Sequence, residues 1–126
     1  MWIEYNPNPT GNRVGDCVIR AICKLTGKTW EQVYAGIAVE GFLRGDMPSS
    51  NSVWGSYLQR IKYRREVVPN TCPACYTVRD FCADHSTGSY LLSLSGHVVA
   101  VEDGNYYDTW DSGDEIPVYY WTRSDT

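Results

Sequence analysis

The chain has 126 residues, of which 43% are hydrophobic, and a formal net charge of -4. This length and apolar content predict a single globular domain over residues 1–126 with a sizeable core. The acidic balance argues against nucleic acid as a partner. No apolar run approaches the roughly 20 residues of a membrane span, and the first residues do not resemble a signal peptide, so we expect a cytoplasmic protein without a membrane partner.

The first predicted helix begins at a cysteine and follows an irregular arm. Asn, Pro and Gly dominate residues 6–12, a composition typical of an extended segment. After Asp16, an almost wholly apolar run from Cys17 to about Leu25 predicts a helix, and Gly27 provides its stop signal. Because only two charged residues interrupt the apolar surface, we expect this helix to be central and enclosed on most sides.

Three further helices are predicted before the pattern changes to β-type. Thr29 and Gln32 form a capping-box pattern, and apolar residues repeat at helical spacing from there to Gly41. A third helix is predicted to be capped by Ser49 or Ser50. A short strand and a fourth helix are predicted at Arg64–Val68 and after Thr77 through Asp84.

From Thr87 onward the periodicity indicates strands. Asp103 and Gly104 are a two-residue hairpin signal, so the strands on either side should be antiparallel neighbours. Helices followed by a small antiparallel sheet make the expected fold class α+β. The predicted strands are Ser89–Leu94, His97–Glu102, Tyr106–Trp110 and Val118–Trp121.

Cys17, His97 and a carboxylate on the next strand are candidate catalytic residues. A helix N-terminus carries partial positive charge and unpaired N–H groups, which stabilise a thiolate at Cys17. His97 opens a later strand, and an imidazole there could move a proton near neutral pH. Together with an aspartate that fixes the imidazole, these residue types predict a cysteine hydrolase.

The hairpin register decides which carboxylate would orient His97. A two-residue turn at Asp103 and Gly104 puts Asp108 on the same sheet face as His97, one diagonal step away. A three-residue loop would instead place Asp111 opposite His97. The register alone leaves both Asp108 and Asp111 open.

The order of these residues resembles the papain-like cysteine peptidase superfamily, particularly its bacteriocin-processing and CHAP branches. The resemblance implies a papain-like fold with the cysteine on the central helix, and a peptide or protein substrate. It also implies roles for three residues: Cys17 as the nucleophile, His97 as the general base that later protonates the leaving group, and Asp108 as its orienting group. The segments that carry the resemblance are Gly15–Cys17, Gly96–Val101 and Tyr107–Trp110.

The sequence departs from the family pattern in the arm before the cysteine. Papain-like enzymes usually supply a Gln side chain to the oxyanion hole from six positions before the cysteine, where this chain has Gly11. Asn12, one residue later, is the predicted donor beside the backbone N–H of Cys17. Asn6 and Asn8 are alternatives if the arm folds back.

Most of the chain also resembles small uncharacterised proteins encoded by phages and prophages of Gram-positive bacteria. The segments that carry this resemblance are Asp46–Asn51 and Thr71–Cys75. Such proteins have no assigned substrate. The resemblance implies a location in the host cytoplasm, and it supports a second function class, a non-catalytic phage protein that binds a host factor.

Four residues later in the chain have spacing that is compatible with a metal site. They form the pattern Cys-x2-Cys-x6-Cys-x2-His, a spacing that is compatible with a tetrahedral zinc site. Four protein ligands would make that zinc structural, as in a zinc-stabilised adaptor. The alternative is that the last cysteine packs in the core and that the first two are reduced or disulfide-bonded. The residues are Cys72, Cys75, Cys82 and His85.

Overall fold

The computed structural model describes residues 1–69 and 75–124. Within these ranges, four helices and six strands form an α+β fold with one sheet of strand order β1-β5-β4-β3-β6-β2. The elements are β1 (Trp2–Glu4), α1 (Cys17–Thr26), α2 (Trp30–Arg44), α3 (Asn51–Arg60), β2 (Tyr63–Val67), α4 (Val78–Asp84), β3 (Ser89–Leu94), β4 (His97–Glu102), β5 (Asn105–Asp108) and β6 (Pro117–Arg123).

The sheet is mixed rather than wholly antiparallel, which corrects the sequence-based expectation. β1 pairs with β5 in parallel, whereas the other neighbouring strands are antiparallel. Residues 6–12 lack helix and strand, as expected, whereas β1, at Trp2–Glu4, was not predicted. β1 has only three residues, which is too short to show a strand periodicity in the sequence. Its partner strand, β5, lies about a hundred residues away in the chain.

The four helices form where the sequence predicts them. α1 begins at Cys17, and Gly27 ends it with a left-handed φ of 76°. The capping box predicted for α2 is present with both of its hydrogen bonds. However, α2 passes through Gly41 and ends before Gly45, which adopts the left-handed cap with φ of 66°. A glycine stands at position 41 within the helix because the backbone oxygen of Asp46 approaches too closely to leave space for a Cβ.

The β3, β4 and β5 meander has the predicted register. Asp103 and Gly104 both have positive φ, as a two-residue type I′ turn requires, and Glu102 pairs with Asn105. β5 ends at Asp108, two residues earlier than predicted, whereas β6 extends to Arg123.

Two apolar clusters lie on opposite faces of the sheet. α1, α2 and α3 contribute to the first cluster, together with Leu91, Ala100 and Trp121 from the strands. α4 packs on the other face, against Leu92 and Val99 among others. Because α1 crosses the sheet mainly over β4, its first turn lies near the start of β4. No helix within the described ranges has the length and apolar character needed to cross a lipid bilayer.

Candidate active site

The thiol of Cys17 contacts the beginning of β4. Cys17 is the first residue of α1 and is partly buried. Its sulfur lies beside the imidazole of His97 and the backbone N–H of Val98, and both favour the thiolate. The fold therefore brings together the two side chains that the sequence predicts as nucleophile and base.

Asp108 holds the opposite side of the same imidazole. Nε2 of His97 lies 2.6 Å from Oδ2 of Asp108, and the two side chains are 14% and 1% exposed. Because Nε2 faces the carboxylate, Nδ1 is the ring nitrogen left for the thiol of Cys17. Cys17, His97 and Asp108 thus lie in a row, in which His97 is hydrogen-bonded to Asp108 and lies beside the sulfur of Cys17.

The electrostatics of the row favour a thiolate beside an imidazolium. Burial acts to raise the pKa of Cys17, but hydrogen bonding and charge interaction with His97 lower it below the usual thiol value. Burial acts to lower the pKa of His97, but its bonds to Asp108 and Cys17 raise that pKa to about 9. Burial acts to raise the pKa of Asp108, but its hydrogen bond and charge interaction with His97, together with the bonds from Ser112 and Thr109, lower that pKa. These directions favour a thiolate and an imidazolium over a neutral thiol and imidazole.

The other described cysteines differ from Cys17. Burial raises the pKa of Cys23 to about 11 and also raises the pKa of Cys82. Cys75 is exposed. Of Cys17, Cys23 and Cys82, Cys17 is thus the one with a lowered pKa.

The carboxylate of Asp108 accepts three hydrogen bonds besides that of His97. Ser112 Oγ donates to Oδ2 at 2.8 Å, and the backbone N–H of Thr109 donates to Oδ1 at 2.8 Å. Nη2 of Arg20 reaches Oδ1 at 3.1 Å. A carboxylate with this many donors is ionised and has one orientation.

Arg20, Asp16 and Trp30 continue the network behind Asp108. Nη1 of Arg20 lies 2.5 Å from Oδ1 of Asp16, and Nε1 of Trp30 donates to Oδ2 of Asp16 at 2.9 Å. Sequence reasoning did not place these residues at the site. The available signal was a basic residue, four positions after an aspartate, within an otherwise apolar helix.

Trp110 covers the imidazole and was not predicted either. Its ring centroid lies 4.9 Å from that of His97 with an interplanar angle of 37°, and the side chain is 43% exposed. A half-exposed indole in this position limits the access of water to the imidazole while leaving the site at the protein surface.

Asp111 does not face His97. It accepts hydrogen bonds from the Tyr106 hydroxyl and from the Gly113 backbone N–H, and it forms an ion pair with Arg79 at 3.2 Å. Of the two candidate carboxylates, Asp108 rather than Asp111 is bonded to His97.

Asn12 lies in the exposed arm before α1. The side-chain amide of Asn6 donates to the backbone oxygens of Gly11 and Asn12, at 3.3 and 3.2 Å, and this holds the arm in a tight loop. The Asn6 amide is therefore engaged within the arm. The role of the Asn12 side chain as an oxyanion donor stays a prediction.

The proposed zinc ligands are only partly described. Cys72 lies outside the described residues, Cys75 is exposed, and Cys82 is buried within α4. Nδ1 of His85 lies 2.9 Å from the backbone oxygen of Phe81. Within residues 1–69 and 75–124, no three His, Cys, Asp or Glu side chains are grouped to hold a metal ion. The zinc site stays a prediction.

A cleft of about 700 Å³ lies elsewhere on the protein, between α3 and the strands β2 and β6. Cys17, His97 and Asp108 do not line it. The candidate site is thus defined by its bonded side chains rather than by this cleft. Comparisons of the chain with protein-family models, curated proteins and solved structures found no match.

Proposed function

We propose that this chain is a papain-like cysteine hydrolase that cleaves an amide or peptide bond through a thioester on Cys17. The observation that carries the proposal is the row of Cys17, His97 and Asp108, in which a thiol with a lowered pKa contacts an imidazole bonded to a buried carboxylate. This arrangement assigns the roles of nucleophile, proton carrier and orienting group. The substrate class is a peptide or protein.

In the first half of the reaction, the Cys17 thiolate attacks the carbonyl carbon of the amide. Negative charge develops on the carbonyl oxygen. Its proposed donors are the backbone N–H of Cys17 and the Asn12 side-chain amide. When the C–N bond breaks, the His97 imidazolium donates its Nδ1 proton to the departing nitrogen. The products of this half are a thioester on Cys17 and a free amine.

In the second half, the now neutral imidazole accepts a proton from a water molecule. The water oxygen attacks the thioester carbonyl carbon, and the C–S bond breaks. The acid is released, Cys17 returns as a thiolate and His97 is again an imidazolium. Asp108 keeps its charge throughout and holds the imidazole in one orientation.

Alkylation by iodoacetamide at neutral pH, followed residue by residue with mass spectrometry, tests the proposal. If exposure alone determined the rate, exposed Cys75 would react faster than partly buried Cys17. We expect the reverse order, because iodoacetamide reacts with the thiolate. His97→Ala should abolish the preference for Cys17.

His85→Ala is the matched control, because it removes the other histidine, which stacks on Phe81 away from Cys17. It should leave the preference intact. Labelling that simply follows exposure in the wild-type protein would contradict the proposal and would favour a non-catalytic interaction protein.

Hydrolysis itself is tested with a peptide library whose cleavage products are identified by mass spectrometry. New termini should appear with the wild-type protein and be absent with Cys17→Ala. A Cys17 adduct that is trapped by rapid acidification should add the mass of the acyl fragment, because the intermediate is a thioester.

A further inference from the structure

Building on the proposed function, we infer that Arg20 is a positioning residue: its buried guanidinium joins the first turn of α1 to the end of β5 and thereby aligns His97 with Cys17. No part of Arg20 needs to touch the substrate. Its effect passes through two carboxylates, Asp16 and Asp108.

The guanidinium bridges these carboxylates with separate nitrogens. Nη1 bonds Asp16 at 2.5 Å, and Nη2 bonds Asp108 at 3.1 Å. The side chain of Arg20 is 6% exposed, and those of Asp16 and Asp108 are 4% and 1% exposed. A planar fork with fixed donor directions suits such a bridge, whereas an ammonium group cannot reproduce its geometry.

The placement of the bridge connects it to the reacting atoms. Asp16 directly precedes Cys17, and Arg20 lies one helical turn further along α1. On the other side, Asp108 uses Oδ1 for Arg20 and Oδ2 for His97. Each half of the bridge is therefore adjacent to one member of the thiol and imidazole pair. A displacement of the guanidinium would change the distance and angle between sulfur and ring.

The bridge also balances charge. Two carboxylates this deeply buried require a positive partner, because an unpaired buried charge is costly. Arg20 supplies this positive partner to both carboxylates. Its charge acts on the Cys17 thiolate as well and contributes to the lowered pKa of that thiol. Trp30 supports the far end by donating to Asp16.

A second arginine cluster in the chain has a similar design but a different location. Glu40 of α2 is 3% exposed and accepts hydrogen bonds from Arg44 and from Arg60 of α3. This cluster ties two helices together and contacts neither Cys17 nor His97. It provides a matched comparison for a purely structural role.

The test compares Arg20→Gln, Arg20→Lys and the control Arg60→Gln by the pH dependence of Cys17 alkylation. We expect Arg20→Gln to raise the midpoint of the profile by about one pH unit, which slows alkylation about tenfold at pH values below both midpoints. Arg20→Lys keeps the charge and should restore part of this shift. Arg60→Gln should leave the midpoint unchanged even if it lowers the melting temperature.

Near-ultraviolet circular dichroism establishes that each variant is folded. A folded Arg20→Gln with the wild-type midpoint would overturn the inference. If Arg20→Gln does not fold, Trp30→Phe takes its place, since it keeps an aromatic ring beside Tyr34 and removes the donor to Asp16. It should raise the midpoint by a smaller amount, and an unchanged midpoint would overturn the inference.

The proposed function and the positioning role of Arg20 can be disproved separately. If wild-type Cys17 shows no preference over Cys75, the proposed function is wrong. If the preference exists but does not respond to the Arg20 variants, the proposed function stands and the positioning role of Arg20 is wrong.

Discussion

Several interactions that stabilise negative charge act on the sulfur of Cys17. It stands at the N-terminus of α1, beside the backbone N–H of Val98 and beside an imidazole that carries a raised pKa. Each interaction lowers the free energy of the thiolate relative to the thiol. The same interactions are missing around Cys23, where burial dominates and raises the pKa to about 11.

A bell-shaped pH dependence of hydrolysis follows from the coupled titration of Cys17 and His97. The rate should rise as the pH passes the lowered pKa of Cys17, because the attacking species is the thiolate. It should fall as the pH rises through about 9, where His97 loses the proton that the leaving amine needs. Measurements of kcat/KM between about pH 5 and about pH 10 test this behaviour.

Alkylation by iodoacetamide over the same pH range separates the two limbs. It requires only the thiolate, so we expect the acid limb to be present and the fall above about pH 9 to be absent. A hydrolysis rate that continues to rise above that pH would contradict the assignment of His97 as the proton donor.

Local signals predict the start of α1 and the register of Asp108, whereas the approach of Cys17 to His97 was expected only from the order of these residues and the papain-like resemblance. A glycine and an aspartate mark the start of α1, and a two-residue turn sets the register that brings Asp108 beside His97. The contact between Arg20 and Asp108 joins residues 88 positions apart, and no local pattern encodes it. The position of Trp110 over His97 depends on the path of the chain after β5.

At the scale of elements, α2 and α3 pack closely against each other at Gly36. A Cβ built at Gly36 would lie 2.5 Å from Cε1 of Tyr57, which is itself 7% exposed. The close approach matters for the site, because α2 begins with Trp30, the residue that bonds Asp16. The spacing between the two helices thus contributes to the placement of the network behind Asp108.

Gly36→Ala should destabilise the fold, because the added methyl group meets a ring that cannot move freely. We expect the free energy of unfolding to fall by about 1–3 kcal/mol, measured by urea denaturation. Gly55→Ala is the matched variant, since its Cβ would lie 3.4 Å from Trp121, an ordinary contact distance. It should be neutral or stabilise by up to about 1 kcal/mol. The prediction fails if Gly36→Ala is as stable as Gly55→Ala.

Elements whose ends carry their own stop or turn signals were predictable, whereas elements that depend on distant partners were not. β3 and β4 have the predicted bounds because turns flank them closely. α2 is longer than predicted because Gly41 fits against the loop at residues 46–48, which is a tertiary contact. β1 exists only as the partner of β5.

For the molecule as a whole, the sheet joins both ends of the site. Cys17 lies on α1, which packs on one face of the sheet. His97 lies on β4, and Asp108 lies on β5. β1 closes the edge next to β5 and fixes the backbone at Asp108, because the Tyr5 N–H and the Trp2 indole both donate to the Asp108 carbonyl oxygen, at 3.0 and 3.1 Å. The first residues of the chain therefore support the last member of the row.

Removal of residues 1–5 tests this long-range support. β1 contributes no side chain to either apolar cluster, so the shortened protein should still fold. It loses the donors to the Asp108 carbonyl oxygen, and we expect the imidazole to be held less firmly. A positioning loss of about 1 kcal/mol corresponds to roughly fivefold slower reaction at Cys17. Iodoacetamide rates for the shortened and full chains measure this loss.

Glu4→Gln is the control for the lost charge. It removes the exposed ion pair between Glu4 and Arg13, which contributes little to stability, while the backbone pairing of β1 remains possible. This variant should react at the wild-type rate. If the shortened chain is folded and its Cys17 reacts as fast as in the full chain, β1 has no positioning role, and Ser112, Thr109 and Arg20 suffice to hold the Asp108 carboxylate.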